Sequence, residues 1–389
     1  MHYNLAESTW GKEEINAMQR VIDSDHLTMG EQVKQFESKF AKKFGSKYAV
    51  MTSSGSSANL VGLATLFFKK NNPLKPGDEV IVPSISWATT YYPLQQYGLK
   101  LKFLDVELNT LNIDVSKLED ALTEKTKMVV AVSILGNPCS LKIIREFCNK
   151  HGLYLFEDNC ESMGAELNGK FCGTFGDIGT FSTFFSHHIS TMEGGIILME
   201  SEELFHLAKS LRAHGWTRDL PRDSLIYERG PDDFYEAYRF ILPGYNARPL
   251  ELSGAIGIEQ LKKLDSMIAI RRKNAEVFVN LFSKDDRFII QKENGKSSWF
   301  SFTIILHPKY SIDRSIVMES MRKAGIEFRI ITGGCFLRHD VIKYFDYEEV
   351  GEIVNANIAH DRGFFVGNFP RDIRSKIEGL WKVLDIAVS

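Results

Sequence analysis

Two adjacent histidines, His187 and His188, stand in FFSHHISTMEGG (residues 184–195), between an aromatic run and a Glu-Gly-Gly turn. An imidazole with its ordinary pKa of about 6.5 can take and give protons at neutral pH. Neighbouring side chains leave a regular element in different directions, so a metal ion shared by the pair is awkward. A third histidine, His214, lies in RAHGW (212–216). A metal hydrolase built on His187 and His214 is the most distant reading, and no metal ion is expected.

Four other stretches carry groups that could do chemistry. TSSGSSANLVGLATLF (52–67) is a Ser/Gly turn opening an apolar helix, where free amides and the helix dipole suit a phosphate. A serine N-cap with no ligand explains it equally simply. LFEDNCE (155–161) puts Asp158 at the end of an apolar strand, where open α/β sheets bind ligands. That carboxylate could pair with a cationic ring nitrogen, cap a helix or hold a metal. SISWATTYY (84–92) places Trp87 in a loop after a strand, free to stack on a flat ligand or to fill an interdomain core. PGYNARPLELSGAIGIEQL (243–261) is a turn entering a helix, with Asn246 and Arg248 available as polar groups.

The bulk properties exclude several classes. The 389-residue chain has a formal charge of −3 and scattered basic residues, so no nucleic-acid partner is expected. Its first thirty or so residues hold no apolar signal core, and no apolar run approaches the roughly 20 residues that span a bilayer. The expectation is a cytoplasmic protein with no membrane partner. The cysteines, Cys139, Cys148, Cys160, Cys172 and Cys335, are odd in number and widely spaced. They read as buried small side chains rather than a disulfide framework or a cluster site.

Elements that could position these groups alternate along the chain. AESTWGKEEINAMQRVIDSD is an amphipathic helix. GDEVIVPSIS, LKFLDV, KMVVAVSIL, YLFEDN, GTFSTFFS and GGIILMES read as strands. YYPLQQYG, SKLEDALTE, IIREFCNKHG and EELFHLAKSLRAHG read as helices, with Gly98 and Gly152 as caps. Strands alternating with helices imply an α/β fold with a mostly parallel sheet flanked by helices. Residues 218–238 are polar, punctuated by Pro and Gly, and read as a surface loop. From about 251 one long helical stretch, with room for a break, leads to a strand (WFSFTIIL), a helix (RSIVMESMRKAG) and a strand (IEFRIIT). The expected division is a large α/β domain over 1–250 and a smaller α+β C-terminal domain over 251–389.

Taken together and in order, these stretches resemble the fold-type I, aspartate aminotransferase-like, pyridoxal-phosphate-dependent sugar aminotransferase/dehydratase family (DegT/DnrJ/EryC1/StrS) from roughly Leu27 to Asn368. The resemblance implies a seven-stranded sheet in the large domain and pyridoxal or pyridoxamine 5'-phosphate as cofactor. It implies that Gly55, Ser56 and Ser182 hold the phosphate, that Asp158 binds the pyridine nitrogen, that Glu161 lies near the ring hydroxyl and that Trp87 stacks on the ring. GYNARPLE is similar to the segment that reaches into a neighbouring subunit's site, which implies a homodimer with Asn246 on the partner's phosphate.

One position departs from that family. Most members carry the lysine that binds the cofactor covalently eight residues before the second glycine of the Glu-Gly-Gly turn. Counting back from Gly195 gives His187, and no lysine occurs between Lys170 and Lys209. His188 is the alternative should the loop shift by one residue. Imidazole forms no stable covalent link to an aldehyde, so the cofactor would be held noncovalently, and His187 becomes a proton-transfer group. A histidine here resembles the subgroup of 3-dehydratases acting on 4-keto-6-deoxy sugar nucleotides. That implies a GDP-sugar substrate, glutamate as amino donor with 2-oxoglutarate and ammonia released, and a place in dideoxysugar (colitose) synthesis for O-antigen. Candidate substrate contacts are His188, His214, Arg218, Arg248, Arg329 and the stretch His26–Glu31. An iron–sulfur cluster and a reductase partner are not expected. A sugar aminotransferase and a non-catalytic binding protein of the same fold are the other readings; retention of Asp158, Ser182 and the Gly55–Ser56 turn argues against the last.

Overall fold

The amphipathic pattern after Gly11 folds as helix α1 (Lys12–Asp23), whose Glu14 carboxylate accepts the Gly11 amide at 2.7 Å and caps the first turn. The computed structural model describes residues 2–389. Further helices are α2 (Glu31–Phe44), α3 (Gly55–Phe68), α4 (Ala88–Gln96), α5 (Leu141–His151), α6 (Glu202–Arg212), α7 (Asp233–Glu236), α8 (Glu251–Phe282), α9 (Arg314–Lys323), α10 (Asn355–Arg362) and α11 (Arg374–Ala387). None is long and apolar enough to cross a membrane.

The strands of the main sheet are β1 (Tyr48–Thr52), β2 (Glu79–Pro83), β3 (Lys100–Leu104), β4 (Thr126–Val132) and β5 (Tyr154–Asp158). After a small hairpin, β6 (Glu166–Leu167) and β7 (Lys170–Phe171), come β8 (Ile178–Ser182) and β9 (Gly195–Met199). They lie in the order β1-β9-β8-β5-β4-β2-β3, and only β9 runs against its neighbours. These strands are buried along most of their length, as helix-covered parallel strands must be. An eighth strand comes from the C-terminal region: β13 (Tyr347–Glu349) adds in parallel to β3. The expected seven-stranded sheet is therefore extended by one short, exposed edge strand.

A second, antiparallel sheet has the order β10-β11-β14-β12, formed by Phe288–Ile290, Ser301–Leu306, Gly363–Gly367 and Phe328–Arg329. Its core joins the far half of α8 to α9 and α11, with Phe278 stacked on Phe302 at 4.4 Å. Tyr3 is fully buried in that same core and bridges to Ile326.

Three sequence-based expectations are corrected. SKLEDALTE is not an α-helix but two 3-10 turns, Val115–Lys117 and Glu119–Ala121, in which only Leu118 and Ala121 are fully buried. IEFRIIT joins the second sheet at Phe328–Arg329 alone, and the chain then turns through a 3-10 segment, Ile331–Gly333. The long helical stretch has no break: α8 runs unbroken through Gly254 and Gly257.

Those two glycines explain why α8 can lie so close to α2. A Cβ on Gly254 would sit 2.6 Å from the Val33 amide nitrogen, and one on Gly257 would sit 2.8 Å from the Phe36 ring. At the same crossing the Glu251 carboxylate accepts the amides of Gly30, Gln32 and Val33 at the start of α2. Gly254→Ala is expected to cost about 1–3 kcal/mol, because the opposing atom is backbone and cannot rotate away. Thermal unfolding should show a melting temperature lowered by several degrees; an unchanged value would mean the helices can separate freely.

Candidate active site

The candidate residues gather at the carboxyl edge of the main sheet, where β1, β5 and β8 end. Asp158 closes β5 and is 5% exposed. Its Oδ2 accepts the Asn59 side-chain amide at 2.8 Å and the Thr90 hydroxyl at 2.7 Å, and its Oδ1 accepts the Cys160 amide at 3.1 Å. Asn59 is itself aimed by the Thr180 hydroxyl at 2.6 Å. A carboxylate tied to α3, α4 and its own strand has one orientation.

The first turn of α3 lies against that carboxylate. A Cβ on Gly55 would fall 2.7 Å from Ser182 Cβ and 2.9 Å from Cys160 Sγ, so glycine is required for this approach. Ser54 caps the helix by accepting the Ser57 amide at 3.0 Å. Among the described residues the amides of Gly55 and Ser56 find no acceptor. They form the free positive end of a 14-residue helix, suited to an anion. The Ser56 hydroxyl donates to Thr89 at 2.8 Å, and the Ser182 hydroxyl accepts the Phe184 amide at 3.2 Å. Trp87 stands just before α4 and is 59% exposed, a flat apolar side chain left uncovered.

Glu161 is held from two sides. Its Oε2 accepts the Leu135 amide at 3.0 Å and the Thr332 hydroxyl at 3.2 Å. Leu135 and Thr332 both have positive φ, 51° and 43°, so two strained turns converge on one carboxylate. Burial, added to the charge of Asp158, pushes Glu161 up to about 7.

His187 hangs on the turn that begins at Ser182. Its amide donates to Phe184 O at 2.9 Å, and its ring is packed between Phe184 and Phe300, with centroids 5.9 and 5.1 Å away. Nδ1 is buried with no hydrogen-bond partner among the described residues. Burial and the Arg271 charge lower its pKa to about 4, so the imidazole is neutral at pH 7 and can accept a proton.

His188 is a correction. It is fully buried, and its Nε2 pairs with Ser298 O at 3.2 Å. It faces the junction with the second sheet, and the expected substrate contact is closed to it. Asn246, Arg248 and His214 form a separate group: Arg248 Nε donates to Asn246 Oδ1 at 3.1 Å, and Trp216 lies against both Arg248 and the His214 ring. The group is moored to the anion turn by the Ser53 amide on Ala247 O at 2.9 Å, yet Asn246 itself is exposed. Arg218 and Arg329 are exposed, and among the described residues the latter's guanidinium bonds only to Phe328 O, at 2.9 Å.

Asn59, Thr90, Thr332, Phe300 and Arg271 escape a reading of the sequence. Asn59 leaves one clue, an amide in the middle of an apolar helix that buries it. Thr90 lies three residues after Trp87 with nothing in its type to mark it, and Thr332, Phe300 and Arg271 are far away in sequence and brought near only by the fold.

With this geometry in place, the relatives define the class. The DegT/DnrJ/EryC1/StrS aminotransferase family matches residues 8–372, and the chain belongs to that family. Within it, the chain is 53% identical over 386 residues to the GDP-4-keto-6-deoxy-D-mannose 3-dehydratase of Yersinia pseudotuberculosis, covering 99% of this chain and 98% of that one. Two crystal structures named as GDP-4-keto-6-deoxymannose-3-dehydratase superpose with TM-scores of 0.97 at 51% identity, each covering 98% of this chain and 100% of the other. One holds a trapped PLP-glutamate geminal diamine. The other is a histidine-to-asparagine variant with bound GDP-perosamine.

Because the folded state prefers Glu161 protonated, its contribution to stability is present at low pH and fades as pH rises through about 7. Glu157, also pushed up to about 7 by burial, adds a similar slope. Glu161→Gln should therefore flatten, but not abolish, the fall in melting temperature of the cofactor-free protein between about pH 4.5 and 7. An unaltered slope would show that Glu161 is already ionised below that range.

Proposed function

We propose that this protein removes the C3 hydroxyl of GDP-4-keto-6-deoxy-D-mannose, giving GDP-4-keto-3,6-dideoxy-D-mannose, 2-oxoglutarate and ammonia from the sugar and glutamate. Pyridoxal or pyridoxamine 5'-phosphate is its cofactor. The observation that carries the reading is the neutral, unpartnered imidazole of His187 on the turn from Ser182, in a stretch with no lysine. The relatives' bound PLP, glutamate adduct and GDP-linked sugar support the same chemistry.

The residues present fit the cofactor. The amides of Gly55 and Ser56, backed by Ser182, offer the phosphate a helix N-terminus that any larger residue at 55 would fill. Asp158, fixed by Asn59 and Thr90, would keep the pyridine nitrogen protonated. Glu161 would lie at the ring hydroxyl, and Trp87 would cover the ring face. When bound, the cofactor supplies an electron sink that takes up the pair freed by deprotonation and returns it to expel the C3 hydroxyl.

His187 would take the proton from the cofactor's methylene carbon and return one to the departing hydroxyl. An imidazole of depressed pKa starts this cycle in the acceptor form. Oxidation of glutamate to 2-oxoglutarate supplies the two electrons that the deoxygenation consumes, and the sugar's C3 oxygen is lost as water.

We also infer a homodimer with shared sites. Asn246 and Arg248 are exposed or half-buried although they belong to the site's sequence pattern, which suits a role against a partner's phosphate and substrate. The nearby rings of Phe234, Tyr235, Tyr238 and Phe240 are 57–88% exposed, more apolar surface than an isolated chain usually leaves in one segment. Arg218, His214, Arg329 and the stretch His26–Glu31 remain candidate contacts to the nucleotide. A cytoplasmic location is part of the same reading.

Incubation with GDP-4-keto-6-deoxy-D-mannose, PLP and glutamate should yield the dideoxy product and ammonia by mass spectrometry. Accumulation of a stable 4-amino sugar would make the protein an aminotransferase instead, and no turnover would favour a binding protein. His187→Asn should abolish dehydration while cofactor absorbance persists, and His187→Lys should shift that absorbance through a new covalent link. Near-normal ammonia release by His187→Asn would remove His187 from the mechanism.

A further inference from the structure

Arg271, in the middle of α8, is 3% exposed and has no ion-pair partner among the described residues. Burying a charge without a counter-ion is costly, and such groups are rare unless something else holds them. Two backbone carbonyls accept from its Nη1, Phe300 O at 3.0 Å and Asn368 O, while its Nε has no partner. Burial alone lowers Arg271 to about 9, and it stays cationic at neutral pH.

The carbonyls it holds belong to the segment behind the candidate base. Phe300 packs its ring on both His187 and His188, at 5.1 and 5.7 Å. The two residues before it are pinned as well: Ser298 O meets His188 Nε2 at 3.2 Å, and Trp299, at φ 47°, gives its carbonyl to Asn368 Nδ2 at 2.8 Å. Asn368 in turn donates to Arg271 O at 3.2 Å, closing a loop of contacts between α8, the strand entry at 298–300 and the end of β14. The charged and titratable groups acting on the histidine pair are Arg271 and Arg272 of α8 and the two imidazoles themselves; no carboxylate is among them.

We propose that Arg271 is a positioning residue for His187: its guanidinium, with no carboxylate partner among the described residues, fixes the Phe300 segment against the imidazole and sets a positive charge behind it. The inference rests on the reading of His187 as the base. It accounts for a buried cation that no salt bridge explains, and it assigns Phe300 the task of aiming the ring while Nδ1 stays unpaired.

The test uses the cofactor-loaded enzyme labelled with 13C-histidine, with the His187 resonance assigned by its loss in His187→Asn. In Arg271→Met the His187 pKa should rise by about one unit, and the acidic limb of kcat/KM should move with it. Arg271→Lys keeps the charge but not the planar fork, so His187 should titrate as in the parent while kcat falls about tenfold or more. A folded Arg271→Met enzyme with an unmoved His187 titration would overturn the proposal. Should that variant fail to fold, Phe300→Leu decides: it leaves the charge in place, and a kcat within about twofold of the parent would equally overturn it. The resonance reports on Arg271 whether or not His187 is the base. Full turnover by His187→Asn would sink the base assignment alone.

Discussion

The arrangement depends on one buried carboxylate. Asp158 ends a strand that is covered on both faces, and it draws hydrogen bonds from Asn59 on α3 and Thr90 on α4. Those two contacts fix the start of α3, and with it the free amides of Gly55 and Ser56. They also fix the start of α4, just behind Trp87. The helix start proposed for the phosphate, the acid proposed for the ring nitrogen and the position of Trp87 are thus set by a single acid and two polar side chains. The remaining constraint is closeness: Gly55 and Ser182 touch at a distance that excludes a Cβ.

Around this fixed centre the structure gathers residues from distant parts of the chain. Glu161 is shared between the Leu135 turn and Thr332, and His187 is backed by Phe300 and, behind it, Arg271. The Glu161–Thr332 and His187–Phe300 links cross from the main sheet to the C-terminal part. The chemistry follows from which protonation states these surroundings favour. His187 is held neutral and Glu161 is balanced near neutrality, both through burial. Replacing an amine by an imidazole removes a covalent tether and leaves a base, which favours elimination over delivery of an aminated product.

Much of this was legible in the sequence, for identifiable reasons. Asp158, Gly55, Ser182 and His187 lie in short motifs whose local geometry, strand end or helix start, already says what the side chain can reach. Six strands of the main sheet, β2, β3, β4, β5, β8 and β9, carry short apolar runs that sequence patterning detects, whereas the short β1 escapes it. SKLEDALTE misled because its residues favour a helix while tertiary contacts bury only Leu118 and Ala121 fully. β14 and the edge strand β13 carry no strong signal, and their pairing depends on partners far away in the chain. His188 is the clearest limit. Sequence cannot say which of two adjacent imidazoles turns inward; the Ser298 carbonyl decides it.

The central claim is that the cofactor aldehyde has no amine to bond with. Borohydride reduction of the PLP-loaded protein, followed by mass spectrometry of the intact chain and its peptides, tests it directly. The account predicts an unmodified chain with the reduced cofactor free in solution. A pyridoxyl group fixed to any lysine would contradict it.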